Sequence, residues 1–260
     1  MGVVEAIILG LVQGLTEFLP VSSSGHLEIG HALFNVDQGG NLMFDIIVHG
    51  ATVLSTLVVF RKDLIELFSG LFKFEWNEST QYLAKLAVSA LPVAVIGFLF
   101  EEQIEALFSG NIVFIGCMLL ITALLLTVAN YSRKGKRKIG FIDAIVIGVA
   151  QTLAVIPGIS RSGSTIATGM IIGNNKAELA RFSFLMVIIP ILGANFIKIL
   201  SGDIVAQANV DVLPLVAGFI AAFVSGLLAC KWMVNIVRKG KLIYFAVYCA
   251  VIGLIAIFAA

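Results

Sequence analysis

The segment Glu5 to Leu27 (EAIILGLVQGLTEFLPVSSSGHL) recurs without a gap as Asp143 to Thr165 (DAIVIGVAQTLAVIPGISRSGST). Each copy is an apolar stretch broken by proline or glycine and then by a Ser-x-Ser-Gly string. The identical columns include Ala6/Ala144, Gly10/Gly148, Gln13/Gln151, Ser22/Ser160, Ser24/Ser162 and Gly25/Gly163. The reactive side chains are not shared. Glu17, Ser23 and His26 occur only in the first copy, and Arg161 only in the second. A scaffold that keeps its polar break twice and divides its reactive groups between copies points to one composite site at a two-fold interface.

The chain is 59% hydrophobic and 13% charged. That balance predicts an integral membrane protein of all-α class. The first apolar segment carries Glu5 and Glu17 and lacks a basic leader, so a cleaved signal peptide is not expected. Cys117, Cys230 and Cys249 fall in apolar segments and read as small core residues.

A membrane-spanning helix needs roughly 20 apolar residues. Six uninterrupted runs qualify, near 42–60, 82–100, 111–130, 181–200, 211–231 and 242–260. The two broken regions, near 1–34 and 141–173, read as re-entrant helix pairs, because non-helical backbone at membrane depth survives only inside protein or beside water. Lys and Arg test this arrangement. They cluster at Arg61–Lys73, Arg133–Lys138, Lys176–Arg181 and Lys231–Lys241, and are absent from 101–110 and 201–210. With six spans and two re-entrant pairs, all four basic loops fall on one side, which the positive-inside rule makes cytoplasmic. Both termini are then outside. Each repeat, approximately 1–132 and 139–260, holds one re-entrant pair and three spans, so the second is inverted relative to the first.

The polar residues at the breaks carry the chemistry. Gln13 and Glu17 are spaced i,i+4 and face one direction on a helix. An ionisable group in an apolar zone normally faces a cavity or a partner. Ser22, Ser23, Ser24 and Gly25 precede His26, and hydroxyls at a helix start both cap it and make an anion site. Pro157 to Thr165 sets Arg161 among Ser160, Ser162, Ser164 and Thr165, and its forked guanidinium suits phosphate. The competing reading is a buried ion pair between Arg161 and Glu17, which is equally the resting state of a functional site. Asp45 and His49 could support the site from behind or simply pair with each other. Glu28 and His31, beyond the motif, read as lying at the membrane surface, and Glu101, Glu102 and Glu105 as a solvated outside loop.

At these residues the chain resembles the undecaprenyl-diphosphate phosphatases of the bacitracin-resistance family. Gln13-x-x-x-Glu17 is similar to that family's (Glu/Gln)-x-x-x-Glu motif, Ser23-to-His26 to its Ser-Gly-His region, and Ser160, Arg161 and Thr165 to its phosphate-binding signature. The Ser-Gly-His string alone also resembles type 2 phosphatidic acid phosphatases, but their basic upstream motif and downstream Arg-His signature are absent. The resemblance implies hydrolysis of undecaprenyl diphosphate at the outer face of a bacterial plasma membrane, recycling a lipid carrier for wall synthesis. It also implies a divalent cation, Mg²⁺ or Ca²⁺, for which Glu17 and Gln13 are the candidate ligands.

The expected catalytic residues are then Ser23, His26, Glu17 and Arg161. Ser22, Ser24, Ser160, Arg161, Ser162 and Thr165 would hold phosphate. Attack by Ser23, with His26 as base or proton donor, and attack by His26 itself both remain open. The expected partners are a polyprenyl diphosphate lipid and the bilayer, with no nucleic acid and with a homodimer left open. A transporter or flippase for a phosphorylated lipid is the rival reading, since inverted repeats suit it equally.

Overall fold

The computed structural model describes residues 1–36, 38–108, 110–132, 135–193, 211–239 and 241–259. In chain order the helices are α1 (Val3–Phe18), α2 (Ser23–Phe34), α3 (Gln38–Val59), α4 (Arg61–Leu71), α5 (Glu78–Leu99), α6 (Glu101–Ala106), α7 (Ile112–Tyr131), α8 (Phe141–Leu153), α9 (Arg161–Ile171), α10 (Lys176–Met186), α11 (Val212–Lys239) and α12 (Ile243–Phe258). All named elements among the described residues are helical.

Two helical hairpins form from the repeated segments. In α1 the buried set Ala6, Leu9, Gly10, Gln13, Gly14 and Glu17 recurs at helical spacing. The helix stops where Leu19 turns extended, one residue before Pro20. Ser22 then takes a left-handed φ of 69° and its Oγ accepts from Gly25 N at 3.3 Å, which starts α2. The second hairpin uses the same device. Gly158 has φ 93°, a conformation glycine adopts without strain, and Ser160 Oγ accepts from Gly163 N at 3.1 Å to start α9. Ser23 and Arg161 are therefore each the first residue of a capped helix.

The hairpins are exchanged between halves of the chain. α1 lies along α11, and α8 lies along α5. Small residues let these backbones meet. A Cβ on Gly10 would lie 2.4 Å from Gly218 O, and one on Gly148 would lie 2.4 Å from Ser89 O. α7 and α12 meet in the same way, with Gly116 and Gly253 each facing the other's carbonyl. The tips of the hairpins touch. A Cβ on Gly25 would approach Gly158 Cα to 3.0 Å, and Ser162 Oγ donates to Leu19 O at 3.1 Å.

The described helices give a coarser picture of membrane crossing than six uninterrupted runs. Glu78–Leu99, Ile112–Tyr131 and Val212–Val237 are long and apolar enough to cross a bilayer. Met43–Val59 qualifies only together with Arg61–Leu71, from which it bends by 73°. The bend falls where Arg61, Lys62 and Asp63 end the apolar run, and α4 turns Leu67 inward as a short amphipathic helix instead of a loop. Residues 101–106, expected as loop, likewise form α6. Ile243–Phe258 is apolar but shorter than a full span. The expected run 181–200 is interrupted at Val187, and residues 194–210 lie outside the described residues, as do Arg133 and Lys134.

Three of the basic segments meet at one end of the bundle. Arg181 Nε lies 2.7 Å from Asp63 Oδ1, and Lys138 Nζ lies 3.5 Å from Glu78 Oε1. Arg137 bonds both Asp143 at 2.6 Å and the Ile172 carbonyl at 3.2 Å, so α8 begins and α9 ends beside the same basic residue.

Candidate active site

Glu17 is the hub. It is the second-to-last residue of α1 and is 7% exposed. One carboxylate oxygen, Oε2, accepts from Ser23 Oγ at 2.6 Å and from Gln13 Nε2 at 3.0 Å. His49 Nε2 lies 3.9 Å from the same oxygen. The other oxygen, Oε1, pairs with Arg161 across the hairpin contact. A buried carboxylate in this setting is stable only because so many donors converge on it. The Arg161 Nη1 atom is buried and has no partner, so half of its fork is uncommitted.

The surrounding hydroxyls are held by backbone. Ser160 N donates to Thr122 Oγ1 at 3.0 Å, and Thr122 Oγ1 donates to Gly158 O at 3.1 Å, pinning the second break to α7. Thr165 Oγ1 bonds its own helix and lies 2.6 Å from Ser183 Oγ. Ser22 Oγ lies 3.3 Å from Ser24 Oγ, and Ser160 Oγ lies 3.4 Å from Ser162 Oγ. A cleft lined by Glu17, Arg161, Thr52, Thr56, Ser162 and Ser183 opens beside the ion pair.

His26 is turned away from Ser23. Its Nδ1 donates to Ser22 O at 2.8 Å, and its Nε2 lies 2.9 Å from the Tyr248 hydroxyl. Ser23 is therefore hydrogen-bonded to a carboxylate and not to an imidazole. This constellation is an alcohol on an acceptor, beside a guanidinium, at the meeting of two helix N-termini. It suits attack on a phosphoryl group held by Arg161.

Residues 6–255 match the family model described as bacitracin resistance protein BacA. The chain belongs to the BacA family. A Bacteroides fragilis protein named undecaprenyl-diphosphatase is 55% identical over 257 residues, covering 97% of this chain and 96% of its own length. A Christiangramia forsetii protein of the same name is 54% identical, covering 99% of this chain and 98% of its own. Undecaprenyl-diphosphatase 1 of Shouchella clausii is 40% identical, covering 98% and 95%.

Within this BacA-family fold, Gln13, Glu17, Ser23 and Arg161 meet directly, while Ser22, Ser24, Ser160, Ser162 and Thr165 form the shell that shapes the two tips. Asp45 and His49 do not pair through their side chains. His49 Nδ1 donates to the Asp45 backbone carbonyl at 2.7 Å, and the Asp45 carboxylate bonds His31 Nε2 at 3.1 Å. His31 is buried against its neighbours. Sequence reasoning missed Thr122 and Tyr248. Neither carries a local signal that sets it apart, since Thr127 and Tyr131 share a helix with Thr122, and Tyr244 shares one with Tyr248. Gln151, the counterpart of Gln13, is 1% exposed and neither of its amide atoms has a partner. The position matching Glu17 is Val155.

Proposed function

We infer that the protein is a multi-pass membrane phosphatase that hydrolyses undecaprenyl diphosphate to undecaprenyl phosphate and inorganic phosphate. Membership of the BacA family and relatives named undecaprenyl-diphosphatase over nearly the whole chain support the activity. The observation that carries the mechanism is the contact of Ser23 Oγ with Glu17 Oε2 at 2.6 Å.

Ser23 attacks the terminal phosphorus. A bond forms from Oγ to phosphorus, and the bridging oxygen leaves as undecaprenyl phosphate. The Ser23 proton passes to Glu17. Once protonated, Glu17 loses its claim on Arg161, and both arms of the guanidinium are free for the phosphoryl oxygens, where charge develops. Glu17 then passes that proton to the departing undecaprenyl phosphate oxygen, and the carboxylate so restored takes a proton from the water that attacks the phosphoserine phosphorus, returning it to Ser23 Oγ as inorganic phosphate leaves. His26 is the weaker nucleophile candidate, because one ring nitrogen donates to Ser22 O and the other faces Tyr248.

A divalent cation remains part of this reading. No group of three or more His, Cys, Asp or Glu side chains among the described residues could hold a metal by itself. Gln13 Oε1, by contrast, is buried and without a partner. These residues fit a cation that takes its oxygens from Glu17 and Gln13 together with the diphosphate. When bound it would neutralise part of the substrate's charge.

The full architecture we propose is six crossings with two re-entrant hairpins in inverted repeats. The crossed packing of α1 on α11 and α8 on α5 supports it. The pairs Arg181–Asp63, Arg137–Asp143 and Lys138–Glu78 support a common basic face, which the positive-inside rule makes cytoplasmic, and the site is then proposed to open to the exterior.

The deciding experiment is phosphate release from a C55 isoprenyl diphosphate by the purified protein. Turnover that disappears in Ser23→Ala is the expected result. Binding of the lipid without phosphate release by the folded wild-type protein would favour the transporter reading.

A further inference from the structure

Among the polar contacts between the halves of the chain that the mechanism does not use, one joins two side chains next to the first break. His26, on the first turn of α2, shares a hydrogen bond of 2.9 Å with Tyr248 on α12, and the two rings stack with centroids 5.5 Å apart and planes 9° from parallel. A carbonyl only accepts, so the 2.8 Å contact to Ser22 O requires a proton on Nδ1. The neutral ring then presents Nε2 as an acceptor, and the Tyr248 hydroxyl donates to it. Tautomer and ring plane are thus both fixed, one by the residue that caps α2 and the other by a helix from the far end of the chain.

The seat of Tyr248 is rigid. Its neighbour Cys249 is fully buried, with Sγ 3.7 Å from the carbonyl of Pro20 at the first break. One turn further on, Gly253 packs its backbone on Gly116 of α7. Tyr248 itself is 42% exposed on the outer side of α12. His26 follows Ser23 by three residues, one turn along α2, and its Nε2 is engaged by the Tyr248 hydroxyl.

We propose that Tyr248 is a positioning residue for the phosphatase reaction, holding the His26 ring in the Nδ1-protonated form with Nε2 turned to α12, one turn from Ser23 on the same helix. This rests on the phosphatase reading, and acts through His26 without a contact between Tyr248 and the reacting atoms.

Two measurements test it. The first does not depend on turnover. In protein labelled with ¹⁵N-histidine, the three histidines are few enough to identify His26 by loss of its signals in His26→Gln. Wild-type His26 should show a protonated Nδ1 and a hydrogen-bonded, unprotonated Nε2, and Tyr248→Phe should move the Nε2 resonance while leaving His31 and His49 in place. An unchanged His26 spectrum in Tyr248→Phe overturns the proposal. The second is kinetic. Tyr248→Phe keeps the stacked ring and loses the hydroxyl, so kcat should fall about fivefold with KM nearly constant. In a His26→Gln background the same substitution should cost nothing further, since contacting residues couple. An undiminished kcat in Tyr248→Phe, or an equal loss in both backgrounds, overturns the positioning role. Absence of turnover in the folded wild type would count against the phosphatase reading, and the histidine spectrum would still decide the contact.

Discussion

Among single residues, the asymmetry between the repeats carries most of the chemistry. Ser23 and Arg161 occupy matching positions, each the first residue after a serine cap, so the two helix starts bring a hydroxyl and a guanidinium to the same tip-to-tip contact. Arg161→Lys keeps the charge and loses the fork. Its pairing with Glu17 through one arm would survive, while the spare Nη1 would not. Phosphate release should therefore fall about tenfold or more, ~1.4 kcal/mol of barrier, measured as kcat/KM on the lipid diphosphate. Full activity in that variant would reduce Arg161 to a point charge. Glu17, Ser23 and Arg161 were legible in the sequence because each is a polar departure from its own repeat. Tyr248 was not, since its contact spans 222 positions and nothing local distinguishes it from an interfacial aromatic. The direction of His26 was also hidden, because a backbone carbonyl and a distant hydroxyl decide it.

Between helices, identical glycine columns turn out to be contact points. Gly10 and Gly148 are the same column of the repeat, and each faces a carbonyl of the helix against which its hairpin lies, Gly218 O and Ser89 O. Adding a side chain there forces helices apart, at about 1–3 kcal/mol or more. Gly148→Val and Gly10→Val should each lower the melting temperature of detergent-solubilised protein. Gly97→Val is the control, because no atom lies within 4 Å of the Cβ it would add. Equal melting of all three variants would contradict the close packing. The broken segments were readable from proline, glycine and serine alone. The 73° bend at Phe60 and the short helices α4 and α6 were not, because mixed charged and apolar residues over so few turns resemble loops until a buried neighbour is known.

Across the whole molecule, the basic segments and the hairpin bases define an axis. Lys136 lies next to Arg137, which holds α8 and α9 together, while Glu102 sits in α6 beyond the other end of α5. In intact cells of a Cys117→Ser background, a membrane-impermeant thiol reagent should modify Glu102→Cys and spare Lys136→Cys. Cys230 and Cys249 are buried and stay silent. The reverse pattern would turn the proposed orientation over.

The exchange of hairpins between halves also has a consequence in time. Ser23 and Glu17 are translated early, but the helix that covers the Gly10 face of α1 is α11, and the guanidinium that meets Glu17 arrives with α9. Until those later segments have inserted, the young chain carries Ser23 and Glu17 without the guanidinium that pairs with the carboxylate. The Glu17–Arg161 pair therefore forms only once the second repeat has been made.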